Sequence, residues 1–91
     1  MPTVSAIVTG RVQGVGFRAF VVRIAESLEV CGEVWNRSEG AVEMIAQHES
    51  DEVLDSFIGK LDFGPGRVDK VLHSRFETTA RYDSFDIGMT R

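Results

Sequence analysis

Val30-Cys31-Gly32-Glu33-Val34-Trp35-Asn36-Arg37-Ser38-Glu39-Gly40-Ala41-Val42-Glu43-Met44-Ile45-Ala46-Gln47 occupies the middle of the chain. It reads as two extended runs, about Val30 to Asn36 and Ala41 to Gln47. They are joined by Arg37-Ser38-Glu39-Gly40, a short polar connection ending in glycine, and a chain that returns at once after so short a link forms an antiparallel hairpin. On the N-terminal side of this hairpin, Phe17, Phe20, Val21, Ile24, Ala25 and Leu28 recur at three- and four-residue spacing, with Arg18, Arg23 and Glu26 on other sides. That spacing predicts an amphipathic helix from Phe17 to about Leu28. On the C-terminal side, Ser50 is an N-cap candidate, Asp51 and Glu52 follow in the first turn, and Leu54, Phe57, Ile58 and Leu61 form a second apolar stripe. Gly64-Pro65-Gly66 cannot continue that helix.

Farther out, Val4, Ala6 and Val8 alternate with Thr3, Ser5, Ile7 and Thr9, and the β-branched stretch to Val12 predicts a first strand. A fourth strand is predicted at about Val68 to Phe76 and a short fifth at Ser84 to Ile87. The order is βαββαβ plus a terminal strand. Two right-handed crossovers around a central hairpin return both helices to the same side of the sheet. The expected architecture is therefore α+β, a ferredoxin-like sandwich with a mixed or antiparallel sheet and two helices on one face. All 91 residues (1–91) are assigned to one domain, which is enough chain for a single core. One sheet face is left open to water, and Glu33, Trp35, Glu43 and His73 are expected there.

Composition narrows the partners. A net charge of -4 with a pI near 5.0 argues against nucleic acid, whose binding draws on many Lys/Arg-phosphate contacts. A small phosphate feels only local charge. Arg11, Arg18, Arg23 and Arg37 lie in the first forty residues, whereas Glu49, Asp51, Glu52 and Asp55 cluster later. Met1 to Val8 lacks the pattern of a secretory signal, and no run is long enough to span a bilayer, so a cytoplasmic location without a membrane partner is expected. Cys31 is the only cysteine; it permits no internal disulfide and reads as a small apolar residue near a strand start. His48 and His73 have no cysteine or acid at ligand spacing, so neither metal nor other cofactor is expected.

Chemistry concentrates between the first strand and the first helix, in Gly10-Arg11-Val12-Gln13-Gly14-Val15-Gly16-Phe17-Arg18. Glycines at alternate positions let the backbone curl so that several N–H groups face one concavity, and the helix start adds its own free N–H groups and partial positive charge. Arg18, just inside the helix, has a planar fork able to hold two phosphate oxygens. The loop alone leaves other readings open. It is also a tight strand-helix turn beside a solvated arginine. Gly14-Val15-Gly16-Phe17-Arg18-Ala19 fits the dinucleotide fingerprint with Glu33 near the distance of a ribose-binding acid, but the hairpin after Asn36 denies the parallel sheet which that fold needs. Gly16-Phe17-Arg18-Ala19-Phe20-Val21 partly matches an RNA-recognition motif. Its aromatics, however, fall on turn and helix instead of a strand surface.

Val12-Gln13-Gly14-Val15-Gly16-Phe17-Arg18 resembles the signature loop of the acylphosphatase family in every position. Gly32-x-Val34-x-Asn36 with Glu39-Gly40-x-Val42-Glu43 resembles its second, hairpin signature. Gly64-Pro65, Val68, Val71 and Phe85-x-Ile87 also sit where that family has such residues, so the resemblance spans essentially the whole chain. It implies a small stand-alone hydrolase that cleaves acyl phosphates to a carboxylate and inorganic phosphate without metal or covalent intermediate, acting as a monomer. By the same resemblance Arg18 binds the phosphate and Asn36 positions the attacking water. The N–H groups of Val15, Gly16, Phe17 and Arg18 would hold phosphoryl oxygens, and Gln13 and Gly14 would shape the loop. Without the family, Asn36 is equally a turn former before a hairpin, or part of an Asn36-Arg37-Ser38 glycosylation acceptor in a secreted protein.

The departures lie in the second signature. Glu33 stands where the family usually has tryptophan, Trp35 occupies a commonly basic position, and Arg37-Ser38-Glu39 replaces an apolar-Pro-Asp type of turn. Glu33 and Trp35 share one strand face, so their effect is expected on the open sheet surface and not on Asn36. The alternative from another class is a non-catalytic regulatory module on the same scaffold, binding phosphate or an acidic ligand.

Overall fold

In the computed structural model, which describes residues Met1–Arg91, the central hairpin joins β2 (Cys31–Asn36) to β3 (Val42–Gln47). It lies inside a five-stranded sheet with β1 (Pro2–Arg11), β4 (Arg67–Glu77) and β5 (Phe85–Ile87), in the order β4-β1-β3-β2-β5. The β4–β1, β1–β3 and β3–β2 pairs are antiparallel, and only β5 runs parallel to its neighbour β2. Helices α1 (Phe17–Leu28) and α2 (Asp51–Lys60) complete the ferredoxin-like arrangement that the periodicities predict. A short 3₁₀ turn, Leu61–Phe63, extends α2 and keeps Leu61 fully buried.

The two sheet faces follow from register. Val4, Ala6 and Val8 of β1 pair with Ala46, Met44 and Val42 of β3, and Met44 in turn with Val34 of β2. All are buried against Phe17, Val21, Ile24 and Ala25 of α1 and Leu54 and Phe57 of α2. Each such Phe, Leu or Val side chain contributes about 1.5–3 kcal/mol on burial, so this layer holds the fold. Glu33 and Trp35 pair with Ile45 and Glu43 on the opposite face, as expected, but Trp35 is buried there and not open to water. His73 does not join them. It pairs with Ala6 and therefore points to the helix side, where it stays exposed on the edge strand β4.

Packing also fixes where α1 begins. Phe17, its first residue, is buried, and a Cβ at Gly64 would lie 2.4 Å from the Phe17 ring. Only a residue without a side chain lets the chain after α2 close so tightly on the start of α1. The first strand ends at Arg11 and not at Val12, with a register shift between Thr9 and Gly10. The loop proper is thus residues 12–16, shorter than the stretch singled out in the sequence.

Candidate active site

The loop between β1 and α1 turns on two left-handed glycines, Gly14 with φ 74° and Gly16 with φ 85°. A Cβ at either would meet nothing within 4 Å, so these positions require glycine for backbone conformation and not for space. Gly16 is the N-cap of α1 and supplies no side-chain cap, and no acidic residue occupies the first turn. The first N–H of the helix to find a main-chain acceptor is that of Phe20, which bonds Gly16 at 3.1 Å. The N–H groups of residues 14–19 therefore point away from any protein acceptor at the positive end of the helix dipole. Such an array has the chemistry to receive an anion.

Arg18 lies in the first turn of this helix, half-buried, and none of the molecule's ion pairs engages it. Its guanidinium fork is free for an incoming anion. Not all the early arginines share that state. Arg37 bonds Glu43 at 2.9 Å and also Glu39. Those bonds, Glu39 first, raise the Arg37 pKa and hold the Glu39 carboxyl below its ordinary range. Arg37 is thus a hairpin brace whose charge is matched by two carboxylates, unlike the unpaired Arg18.

Asn36 is brought to the loop from β2. It sits at the end of the strand, two residues beyond Val34 and on the same helix-facing side, opposite Val42. A cleft of about 180 Å³ is lined by Val12, Gly14, Gly16, Phe17, Arg18, Ala19, Asn36 and Ile87. Asn36 also carries a side-chain oxygen, Oδ1, that is buried and has no hydrogen-bond partner. A buried carbonyl oxygen left unpaired costs about 1–3 kcal/mol, so a donor supplied by a bound molecule is its expected complement. A larger groove of about 430 Å³ lies between Phe20, Arg23, Ile24, Ser27, Lys60 and Phe63, but it has no comparable row of free N–H groups.

Gln13 has a part that the motif alone does not reveal. Its side-chain N–H groups donate to the carbonyls of Arg37 at 2.8 Å and Ala41 at 2.9 Å. The loop that would hold an anion is thereby tied to the hairpin that carries Asn36. Ile87 was likewise not singled out as a site residue, because β5 is too short for its pattern to show what it faces. His48 and His73 are not brought together: the His48 Nδ1 accepts the Ser50 N–H at 2.9 Å, and His73 lies on β4.

Residues 4–87 match the family model described as Acylphosphatase. The acylphosphatase of Arthrobacter sp. strain FB24 is 40% identical over 84 residues, covering 90% of this chain and 76% of that protein. That of Leuconostoc mesenteroides is 40% identical over 84 residues, covering 86% and 92% respectively. The crystal structure of acylphosphatase from Bacillus subtilis superimposes with a TM-score of 0.92 at 33% identity, covering 97% of this chain and 99% of that one.

Proposed function

We propose a division of labour for this cleft on the premise that the chain belongs to the acylphosphatase family. The protein is a hydrolase of acyl phosphates, releasing a carboxylate and inorganic phosphate. A purely ligand-binding regulatory role is not favoured by that membership.

In our reading the N–H groups of Val15, Gly16, Phe17 and Arg18 receive the phosphoryl oxygens, and Gln13 and Gly14 hold the loop in shape. The Arg18 guanidinium binds two oxygens and meets the charge that grows on them. Asn36 aims the water. Its Oδ1 accepts a hydrogen bond from the water, which leaves a lone pair directed at phosphorus. The new O–P bond forms as the acyl O–P bond breaks, the carboxylate leaves with the electron pair, and the water proton passes to a phosphoryl oxygen.

An acyl phosphate already carries a good leaving group, so positioning and charge stabilisation suffice and no strong protein base is required. Since N–H dipoles and one arginine meet the dianion, the reaction needs no metal. One copy of the chain supplies every group named, so we take the enzyme to act as a monomer, in the cytoplasm, on a small acyl phosphate.

The observation that carries this reading is that Asn36, whose Oδ1 is buried and unpartnered, lines the same cleft as Arg18. The test is benzoyl phosphate hydrolysis in the presence of EDTA, with inorganic phosphate as inhibitor. Arg18→Ala should lose roughly 10²–10³ or more in rate and most of its inhibition by phosphate, while remaining folded. Asn36→Ala should abolish turnover yet keep phosphate inhibition. Wild-type rates in Arg18→Ala would overturn the mechanism, and loss of phosphate affinity in Asn36→Ala would move Asn36 into the cradle.

A further inference from the structure

Ile87 is the cleft residue for which the phosphoryl chemistry has no use. Of the apolar side chains lining the cleft, Val12 and Phe17 are 2% and 1% exposed and form its floor, whereas Ile87 is 49% exposed. It comes from β5, where it pairs with Val34, two residues before Asn36 and on the same side of the sheet. Phe85, two residues earlier on that side, is sunk in the core with its ring centroid 5.9 Å from that of Phe57. The alternation therefore carries the same face from core to cleft within one short strand.

After β5 the chain does not leave the sheet. The Gly88 N–H donates to Val34 at 2.8 Å, the Arg91 N–H to Asn36 at 2.8 Å, and the Ser38 N–H to Arg91 at 2.7 Å. The Arg91 guanidinium stacks 3.8 Å above the Trp35 ring and bonds Glu33 at 2.7 Å. A planar cation over an indole is a favourable contact, and Arg91 covers Trp35 so that it is only 7% exposed. Glu33 and Trp35, the two departures from the family pattern, thus pin residues 88–91 along β2. Ile87 is held in register with Asn36 instead of being carried on a loose tail.

We propose that Ile87 is the acyl-group contact of this site and makes the enzyme select acyl phosphates with an apolar acyl group. The inference rests on the reading above, in which the phosphoryl end is fixed by the cradle. With that end fixed, the acyl carbon lies one oxygen away and its substituent must run along the cleft wall outside the N–H array. Ile87 is the one large, accessible apolar side chain on that wall. Its contact rewards an aromatic or branched substituent and gives an acetyl group little.

The experiment compares kcat/KM for benzoyl phosphate and acetyl phosphate in wild type, Ile87→Ala and Ile87→Asp. Taking the benzoyl-to-acetyl ratio of each variant relative to wild type cancels the different reactivities of the two leaving groups. In Ile87→Ala this ratio should fall by roughly fivefold to tenfold, the range of a few lost methyl contacts at a half-open wall, and in Ile87→Asp it should fall further. Circular dichroism and inhibition by inorganic phosphate show that fold and cradle survive. A ratio within about twofold of wild type in both folded variants overturns the proposal. Should wild type hydrolyse neither substrate, it is the proposed function that fails, and the two failures are thereby told apart. If Ile87→Ala does not fold, the same ratio in Ile87→Val decides by its direction.

Discussion

The two helices begin in opposite ways. At α2, Ser50 adopts an extended conformation and its hydroxyl accepts the Val53 N–H at 3.3 Å, with Asp51 and Glu52 in the first turn. Arg75 reaches from β4 to bond Asp51 at 2.7 Å and Asp55 at 2.6 Å, and these carboxylates, Asp55 first, raise its pKa. At α1 the cap is a left-handed glycine without a side chain, the first turn has no acid, and its second residue is Arg18. The far end has no basic residue in its last turn, but Glu29 at φ 58° closes it with a Schellman motif, in which the Glu29 and Val30 N–H groups donate to the Glu26 and Ala25 carbonyls at 3.2 and 2.8 Å. Dipole and capping terms are each worth about 0.3–2 kcal/mol. Burial of Phe17, Val21 and Ile24 outweighs them, at about 1.5–3 kcal/mol each. Packing can therefore hold a helix whose N-terminus is left unsatisfied by the protein. One helix start is satisfied within the fold, and the other, on the proposed reading, is held open for an anion.

Giving α1 the acid that α2 has should produce the largest reversal. Ala19 is exposed, lines the cleft and occupies the first turn. In Ala19→Asp a carboxylate meets the helix dipole, so thermal stability should rise by about 0.3–1 kcal/mol. The same charge repels the bound dianion, and kcat/KM should drop roughly 10- to 100-fold, from one to three kcal/mol of repulsion at an effective dielectric near 20. Stability and rate would move in opposite directions. If both fell together, the open N-terminus would be a packing requirement and not a device for anions.

Gly16→Ala breaks the comparison through the backbone. An L-residue held at φ 85° is strained by about 1–2 kcal/mol, with no clash to blame because the added Cβ meets nothing. Urea unfolding should show that loss. Phosphate inhibition should weaken too, by less than in Ala19→Asp, since the donors tilt without meeting a new charge. Undiminished phosphate affinity in a destabilised Gly16→Ala would separate the conformation of Gly16 from the cradle.

The contrast between the two starts could be read in advance, because capping and glycine chemistry are local. Ser50-Asp51-Glu52 and Gly14-Val15-Gly16 each announce themselves within a few residues, and the strand and helix spans followed from their periods. What joins the loop to its partners is long-range. Gln13 bonds carbonyls 24 and 28 residues away, and Arg91 reaches Glu33 across 58 residues. No spacing rule predicts which residues such pairs join. The three residues of β5 are too few for a period to show that Ile87 faces the cleft. His73 was assigned to the wrong face because β4 is exposed along most of its length, and a strand with so little contrast leaves its orientation to the register with β1. Asn36 became more than a turn former only through the resemblance; its unpartnered Oδ1 is a property of the folded chain.

The smallest effect is expected at the satisfied helix start, and it is the control on which the comparison depends. Ser50→Ala removes the acceptor of the Val53 N–H, a loss of about 0.5–2 kcal/mol and, at 3.3 Å, toward the lower end of that range. For a chain of this size that corresponds to a fall in Tm of roughly 4–8 °C per kcal/mol. Leu54 still bonds the Ser50 carbonyl at 3.2 Å, so the helix should fray at its tip and not unwind. Rates measured well below the new Tm should match wild type, because none of the cleft-lining residues lies on α2. A change in kcat/KM as large as that of Ala19→Asp would mean that the two helix starts are mechanically coupled through the core, and the division between a structural and a chemical N-terminus would fall.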